Sequence, residues 1–232
     1  MQGSLCKLGM PCSCTDDWSL VATTCEFLAF SFRYPNDESV EAIASGDWAD
    51  ALCELRGAWG LSPDPEAEIL ARFASEHEPG ALLRTMRQEA TRLFIGPPLP
   101  LVSPYESVWL ASRTHTAPLL FVSPSAVAVE KFCFACGLGR PQGTNESLDH
   151  IASELELLQY LASIEARVID SSSCNVLPSQ FPGGSAAEAF ALFLVEHVEK
   201  WVGAFALDLE RTTDLAVYRA AARLLRELAS VG

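Results

Sequence analysis

The chain has 232 residues, of which 49% are apolar and 20% charged, and 16 basic against 30 acidic residues give a net charge of −14 at pH 7. A chain of this length buries enough surface to fold without disulfides or a metal, as one compact domain or two small halves. The apolar content excludes an intrinsically disordered chain. The acidic surplus argues against nucleic acid, whose phosphates need Lys and Arg clusters, and favours a basic partner.

The acidic surplus is unevenly distributed along the chain. Residues 1–78 contain 14 acids and four bases, whereas residues 79–232 contain 16 acids and 12 bases. We therefore expect long-range attraction of a cationic ligand to be strongest in the first third, although salt screens such attraction over about 8–10 Å.

Targeting signals and membrane spans are not predicted. Residues 1–17 contain Lys7 as their single base and no apolar run of the length that a secretory signal needs. Because no stretch approaches the roughly 18 apolar residues of a membrane span, we expect a cytoplasmic protein without a membrane segment. In that reducing compartment, most of the eight cysteines should be buried small hydrophobes.

In the first half of the chain, apolar residues recur at helical spacing in four segments. Asp16 or Asp17 is a plausible N-cap for the first of them. The segments run from Asp16 or Asp17 to Pro35, from Trp48 to Trp59, from Pro65 with Ile69, Leu70 and Phe73 inward, and from Gly80 to Phe94.

Residues 96–108 interrupt this pattern with four prolines and a glycine, too many for the interior of a helix. The same stretch carries apolar side chains, so the sequence predicts a packed loop, and packed loops often have a function.

The second half of the chain is again helical in pattern. The connector at residues 170–185 is rich in Ser, Pro and Gly and is a possible hinge. One short stretch, Ala117 to Ser123, is apolar enough for a strand but has nothing to pair with. The predicted helices are Pro124 to Cys136, Asp149 to Arg167, Ala186 to Leu209 as the longest, and Asp214 to Leu228.

These segments predict an all-α protein, a single-domain helical bundle of about eight to ten helices. Its domain would span residues 16–232, preceded by a Cys-containing N-terminal extension at residues 1–15.

Common enzyme motifs are absent from the sequence. It contains no GxxxxGK[ST] phosphate loop, no GxSxG elbow and no HExxH zinc pair. Catalysis therefore loses its strongest support from the sequence. The missing phosphate loop also counts against a nucleotide-hydrolysing maturation factor.

The cysteines leave an alternative function open. Cys133 and Cys136 form a CxxC, and Cys6, Cys12 and Cys14 have the chemistry to complete a four-thiolate site in a metal-binding or redox-sensing protein. However, a zinc knuckle places its CxxC on a turn, whereas this pair falls within a predicted helix. The structural interpretation, without a metal or other cofactor, is therefore preferred.

The segment Pro104–Trp109 places a phenol, a carboxylate, a hydroxyl and an indole close together, at Tyr105, Glu106, Ser107 and Trp109. Such a set suits an Arg-containing peptide, held by charge-assisted hydrogen bonds and stacking. In the alternative interpretation, Tyr105 and Glu106 are buried and form hydrogen bonds with the backbone of their own loop.

A second polar constellation opens the helix that begins near Asp149. Asp149 is a plausible N-cap, and acidic residues near a helix start complement its dipole. Helix capping does not account for His150 and Glu154, which are four residues apart, or for Glu156. His197, on the apolar stripe of a later helix, is better explained as a hydrogen-bonded core residue.

Three blocks of the sequence together resemble the TorD/DmsD/NarJ family of molybdoenzyme maturation chaperones. Thr91–Pro97 with Leu101–Trp109 is similar to the family's "LF-x-GP … PPYESVY" block, although Ser103 replaces its first proline and Trp109 its last tyrosine. Asp149–Glu156 resembles "DHI-x-x-ELE", and Phe193–Phe205 resembles "FL-x-x-HL-x-x-W-x-x-x-F". The blocks occur in family order, and the likeness spans about residues 18–210.

The resemblance implies an all-helical cytoplasmic chaperone without enzymatic activity, as a monomer or homodimer. Its partner would be the twin-arginine leader peptide, or the apo-form of the catalytic subunit, of a molybdopterin-containing oxidoreductase. Such a leader is basic at one end and apolar beyond, so its receptor needs carboxylates beside apolar surface. The expected signal-peptide-binding residues are Tyr105, Glu106, Ser107, Trp109, Asp149, His150 and Glu154.

Overall fold

The computed structural model describes residues 17–76, 78–96, 100–113, 123–139 and 147–230. Within these ranges the chain forms eleven α-helices and no β-strand, which confirms the predicted all-α fold. The helices are α1 (Trp18–Phe32), α2 (Asp37–Ser45), α3 (Asp47–Ala58), α4 (Ala67–Glu76), α5 (Pro79–Ala90), α6 (Glu106–Arg113), α7 (Pro124–Ala135), α8 (Ile151–Glu165), α9 (Ala186–Glu196), α10 (Val202–Thr212) and α11 (Ala216–Ser230). None of the helices in these ranges has both the length and the apolar character needed to cross a bilayer.

The core is organised around α1 and α8, which pack along each other, while α10 pairs with α11 and α8 also contacts α9. Most residues of α1 are buried, including two hydroxyls, Thr24 and Ser31. Each hydroxyl donates to a carbonyl one turn earlier and accepts an indole N–H from the α3 region: Trp59 Nε1 lies 2.9 Å from Thr24, and Trp48 Nε1 lies 3.0 Å from Ser31. The two buried hydroxyls of α1 are thus satisfied.

Local capping explains where the first helices begin. The Asp17 carboxylate accepts a hydrogen bond from Leu20 N at 3.0 Å, which confirms the predicted N-cap of α1. Asn36 and Ser39 form a reciprocal capping box that starts α2, a helix for which the apolar pattern gave no prediction.

Two sequence predictions about the helices are wrong. Ile69 is 43% exposed because Leu70 takes the core position on α4. The segment Ala186 to Leu209 is two helices, since the chain leaves helical geometry at His197 and Trp201 (φ −123° and −139°) around a single 3₁₀ turn. No proline or glycine lies at this break, and the side chains of both residues form hydrogen bonds in the site described below.

The connector at residues 170–185 contains three short 3₁₀ turns, and its Phe181 is buried in the core. Its last residue, Ser185, caps α9 by accepting from Glu188 N at 3.1 Å. A hinge at this connector stays a prediction.

A short π-helical segment, Thr91–Ile95, continues α5 and carries the first half of the family-like block. Buried Glu89 accepts hydrogen bonds from the Arg92 guanidinium, from the Thr213 hydroxyl and from the backbone N–H of Asp214. Thr213 and Asp214 lie just before α11. Burial alone would raise the pKa of Glu89, but these hydrogen bonds outweigh it and lower the pKa. This carboxylate therefore ties the π-helical segment to the C-terminal helix.

A buried ion network joins α3, the segment before α4, and α11. The Asp64 carboxylate accepts from Arg223 Nη1 at 2.7 Å and lies 3.4 Å from Arg56 Nη1. Arg56, itself almost fully buried, also contacts Glu227 Oε2 at 2.9 Å. The buried guanidinium of Arg56 needs these acidic partners, because it has lost its solvation by water.

We predict that Asp64→Ala lowers the free energy of unfolding by about 3–5 kcal/mol, because it leaves buried Arg56 and Arg223 short of a counter-charge. Glu210→Ala, which removes a more exposed carboxylate bonded to Arg223, should lower it by about 1 kcal/mol or less. Urea unfolding measures both. Equal losses for the two variants would contradict this account of the network.

Candidate functional site

The three family-like blocks meet at one place in the fold. Tyr105, just before α6, and His150, just before α8, form an isolated antiparallel bridge. Glu106 N donates to Asp149 O at 3.0 Å, and Ile151 N donates to Pro104 O at 2.8 Å. Backbone hydrogen bonds thus hold the start of α6 against the start of α8.

Asp149 is fully buried and caps α6 rather than its own helix. Its Oδ2 accepts a hydrogen bond from Ser107 N at 3.0 Å. The N-cap of α8 is instead His150, whose Nδ1 accepts from Ala152 N at 3.1 Å. The sequence prediction that Asp149 caps the following helix is therefore wrong, because the bridge turns its carboxylate toward α6.

Glu106 lies in the first turn of α6 and points into the core. Its Oε2 and Oε1 lie 3.0 and 3.3 Å from His197 Nδ1, and both residues are buried. His197 stands where α9 ends, so its imidazole reaches α6 only because the helix stops there. This contact agrees with the interpretation of His197 as a hydrogen-bonded core residue.

Glu154, on the first turn of α8, is fully buried beside Glu106. Its Oε2 accepts from Trp201 Nε1 at 3.1 Å, whereas its Oε1 has no donor facing it. Burial, followed by the negative charges of Glu106 and Asp149, raises the pKa of Glu154. A hydrogen bond to Glu106 acts in the same direction, because only the protonated form of Glu154 can donate it.

His150 is kept neutral. Burial, and next the positive charge of Arg33, lower its pKa to about 3. Neutrality is what the backbone requires, because a protonated imidazole has no acceptor nitrogen for Ala152 N. Arg33 itself forms a two-bond pair with Glu156, which lies on a more exposed part of α8.

The structure brings all seven predicted binding residues into one region, but it buries most of them. Tyr105 and Trp109 are half-buried. The Trp109 indole donates to Ser103 O at 2.7 Å, and the Tyr105 ring packs edge-on against His150. The buried members are Glu106, Ser107, Asp149, His150 and Glu154, each 6% exposed or less.

Trp201 was not predicted as part of this cluster, although the third family-like block contains it. Helical periodicity places His197 and Trp201 on one apolar stripe, and such a stripe gives no sign that a helix break redirects both side chains. The partners lie 91 and 47 residues away along the chain.

Cys133 and Cys136 are buried near the end of α7, and burial is the main cause that raises the pKa of each thiol to about 12. Such thiols stay protonated at neutral pH, which makes them poor nucleophiles. In the part of the chain that the structure describes, no three His, Cys, Asp or Glu side chains are grouped to hold a metal ion. Cys6, Cys12 and Cys14 lie outside the described residues.

Comparison with protein families agrees with this geometry. The family model described as "Nitrate reductase delta subunit" matches residues 61–207, more than half of the chain. The chain therefore belongs to this family, which is the NarJ/TorD-type chaperone family that the sequence blocks resemble. The relationship supports a role in molybdoenzyme maturation. A search of the curated proteins gave no match.

We predict that Glu154→Gln becomes more stable relative to the wild type as pH rises. Because the folded-state pKa of Glu154 is raised, the wild type loses stability as pH increases above the unfolded-state value of about 4.3. Glutamine does not titrate, still accepts from Trp201 and can donate to Glu106. Urea midpoints at pH 5 and pH 8 test this prediction, and a difference that is independent of pH would contradict it.

We expect the effect of His150 on the free energy of unfolding to appear at low pH. Its folded-state pKa of about 3 lies below the unfolded value of about 6.5. The wild type therefore loses stability as pH falls below about 6.5, with a slope of up to about 1.4 kcal/mol per pH unit from this group. His150→Asn retains an N-cap acceptor, so its stability relative to the wild type should improve between pH 7 and pH 4 in chemical denaturation. Parallel pH profiles would refute this assignment.

Proposed function

We propose that the protein is a cytoplasmic, non-enzymatic chaperone for assembly of a molybdopterin-containing oxidoreductase. In this proposal it binds the twin-arginine signal peptide, the apo-form of the catalytic subunit, or both, until the cofactor has been inserted. The family match over residues 61–207 carries the proposal. The meeting of the family-like blocks in one cluster supports it.

The proposed binding region uses its residues in two ways. Tyr105 and Trp109 are half-buried aromatic side chains that can contact a ligand, and aromatic rings are good partners for guanidinium groups. The buried residues of the cluster, Glu106, Ser107, Asp149, His150 and Glu154, position the segment that carries these rings. The negative charge of the Glu106 and Asp149 carboxylates, which solvent screens poorly at this depth, also favours a cationic ligand nearby.

A twin-arginine leader from a molybdoenzyme encoded nearby should bind the wild-type protein with about micromolar affinity in calorimetry. Binding should weaken at high salt, because charge pairing contributes to it. Trp109→Ala should weaken binding about tenfold, the loss of one aromatic anchor. Circular dichroism checks that the variant is folded.

Phe134→Ala is the matched control, since it removes an exposed aromatic ring from α7 and should leave the affinity unchanged. If the folded wild-type protein binds no such leader, the proposed function is wrong.

A further inference from the structure

Glu156 is the accessible carboxylate of the second family-like block. The other two acids of that block, Asp149 and Glu154, are fully buried, whereas the Glu156 side chain is 44% exposed. The hydrogen bonds that hold the buried cluster together do not involve Glu156. Glu156 is therefore the acid of this block that a ligand at the surface can contact directly.

The partner of Glu156 is Arg33, the residue that follows α1. Its Nε donates to Glu156 Oε1 at 2.9 Å and its Nη2 pairs with Oε2, which is the two-bond geometry that guanidinium and carboxylate groups favour. The backbone of Arg33 is extended (φ −66°, ψ 154°), and its N–H donates to Ala29 O at 3.1 Å. The backbone of Arg33 therefore ends α1, and its side chain is not needed for that purpose.

The pair between Arg33 and Glu156 lies beside the proposed binding region. The positive charge of Arg33 contributes to the lowered pKa of His150, which places the guanidinium near that imidazole. His150 in turn packs edge-on against the half-buried Tyr105 ring, with ring centroids 5.2 Å apart. A ligand guanidinium that replaced Arg33 at Glu156 would bring the same charge to the same place, so His150 would stay neutral.

The pair is accessible enough to be exchanged. The Arg33 side chain is 34% exposed, unlike the enclosed side chains of Arg56 and Asp64, which are 3% and 0% exposed. Ion pairs between partly exposed side chains contribute little to stability, because water solvates both groups when the pair opens. A second guanidinium that reaches Glu156 can therefore take the place of Arg33 at a small cost in free energy.

We propose that Arg33 is a built-in competitor, which occupies Glu156 until a ligand guanidinium displaces it. Glu156 is then the carboxylate that pairs directly with the ligand, while Tyr105 contacts the neighbouring part of it. The contact is autoinhibitory, because each binding event must first break the pair that the protein makes with itself. A ligand without a guanidinium gains nothing at Glu156 that replaces this pair. That the ligand is a leader peptide rests on the proposed function.

Calorimetry with the same twin-arginine leader tests this inference. Arg33→Gln should bind the leader about two- to fivefold more tightly than the wild type, since the ligand gains a pair with Glu156 and no internal pair is broken. Adding Glu156→Gln to Arg33→Gln should remove this gain. Thermal unfolding checks that every variant is folded.

Two matched controls separate the exchange at Glu156 from a change in net charge. Arg167→Gln removes the same charge from an exposed position two residues beyond the end of α8, and should leave the affinity of the wild type unchanged. Glu54→Gln, at an exposed position on α3, should leave the affinity of the Arg33→Gln variant unchanged.

The outcomes distinguish this inference from the proposed function. If the leader binds the wild type and Arg33→Gln equally well, or if the double variant keeps the gain, the autoinhibitory contact is overturned and the proposed function stands. If Arg167→Gln tightens binding as much as Arg33→Gln, the gain comes from net charge and the contact is likewise overturned. If the leader binds neither the wild type nor Arg33→Gln, the proposed function is overturned, and the competitor role of Arg33 is overturned with it.

Discussion

The hydrogen bond between Glu106 and His197 is the constraint on which the centre of this molecule depends. A carboxylate that is 1% exposed needs a polar partner, and here the imidazole of His197 provides it. Because the chain leaves helical geometry at His197, the same break redirects Trp201, whose indole donates to Glu154. One helix break therefore supplies donors to two buried acids on two other helices.

Burying three carboxyl groups away from water in one cluster is energetically unfavourable, and each group is stabilised in a different way. Asp149 accepts from the backbone of α6, Glu106 contacts the imidazole of His197, and Glu154, whose pKa is raised by burial and by its acidic neighbours, accepts from the Trp201 indole. The register between the start of α6 and the start of α8 is set by the backbone bridge between Tyr105 and His150, and the Asp149 cap on Ser107 N adds a side-chain bond to it. These contacts also hold the positions of Tyr105 and Trp109.

Much of the fold could be predicted from local sequence, because the features that decide it are themselves local. The Asp17 cap, α7 and α8 follow from short patterns of capping and apolar residues. The break at His197 could not be predicted, since Phe190, Leu194 and Trp201 continue the helical stripe on both sides of it. The same limit applies to the site: the pattern indicates that Glu106 and Asp149 matter, but their burial depends on partners that lie far away in sequence.

Because these carboxylates are buried, only part of the acidic surplus behind the net charge of −14 is available for direct contact with a ligand. Acids that are 0–1% exposed cannot pair directly with a ligand at the surface in this conformation, whereas Asp37 and Glu41 in the acidic first third can. A backbone hydrogen bond also links the approach to the cluster with the π-helical segment. Val102 N donates to Leu93 O at 2.9 Å, so the chain that leads into Tyr105 is tied to the π-helical segment that ends at exposed Ile95. Exposed Ile95 and the half-buried rings of Tyr105 and Trp109 therefore lie on segments that are tied to each other and to the buried cluster.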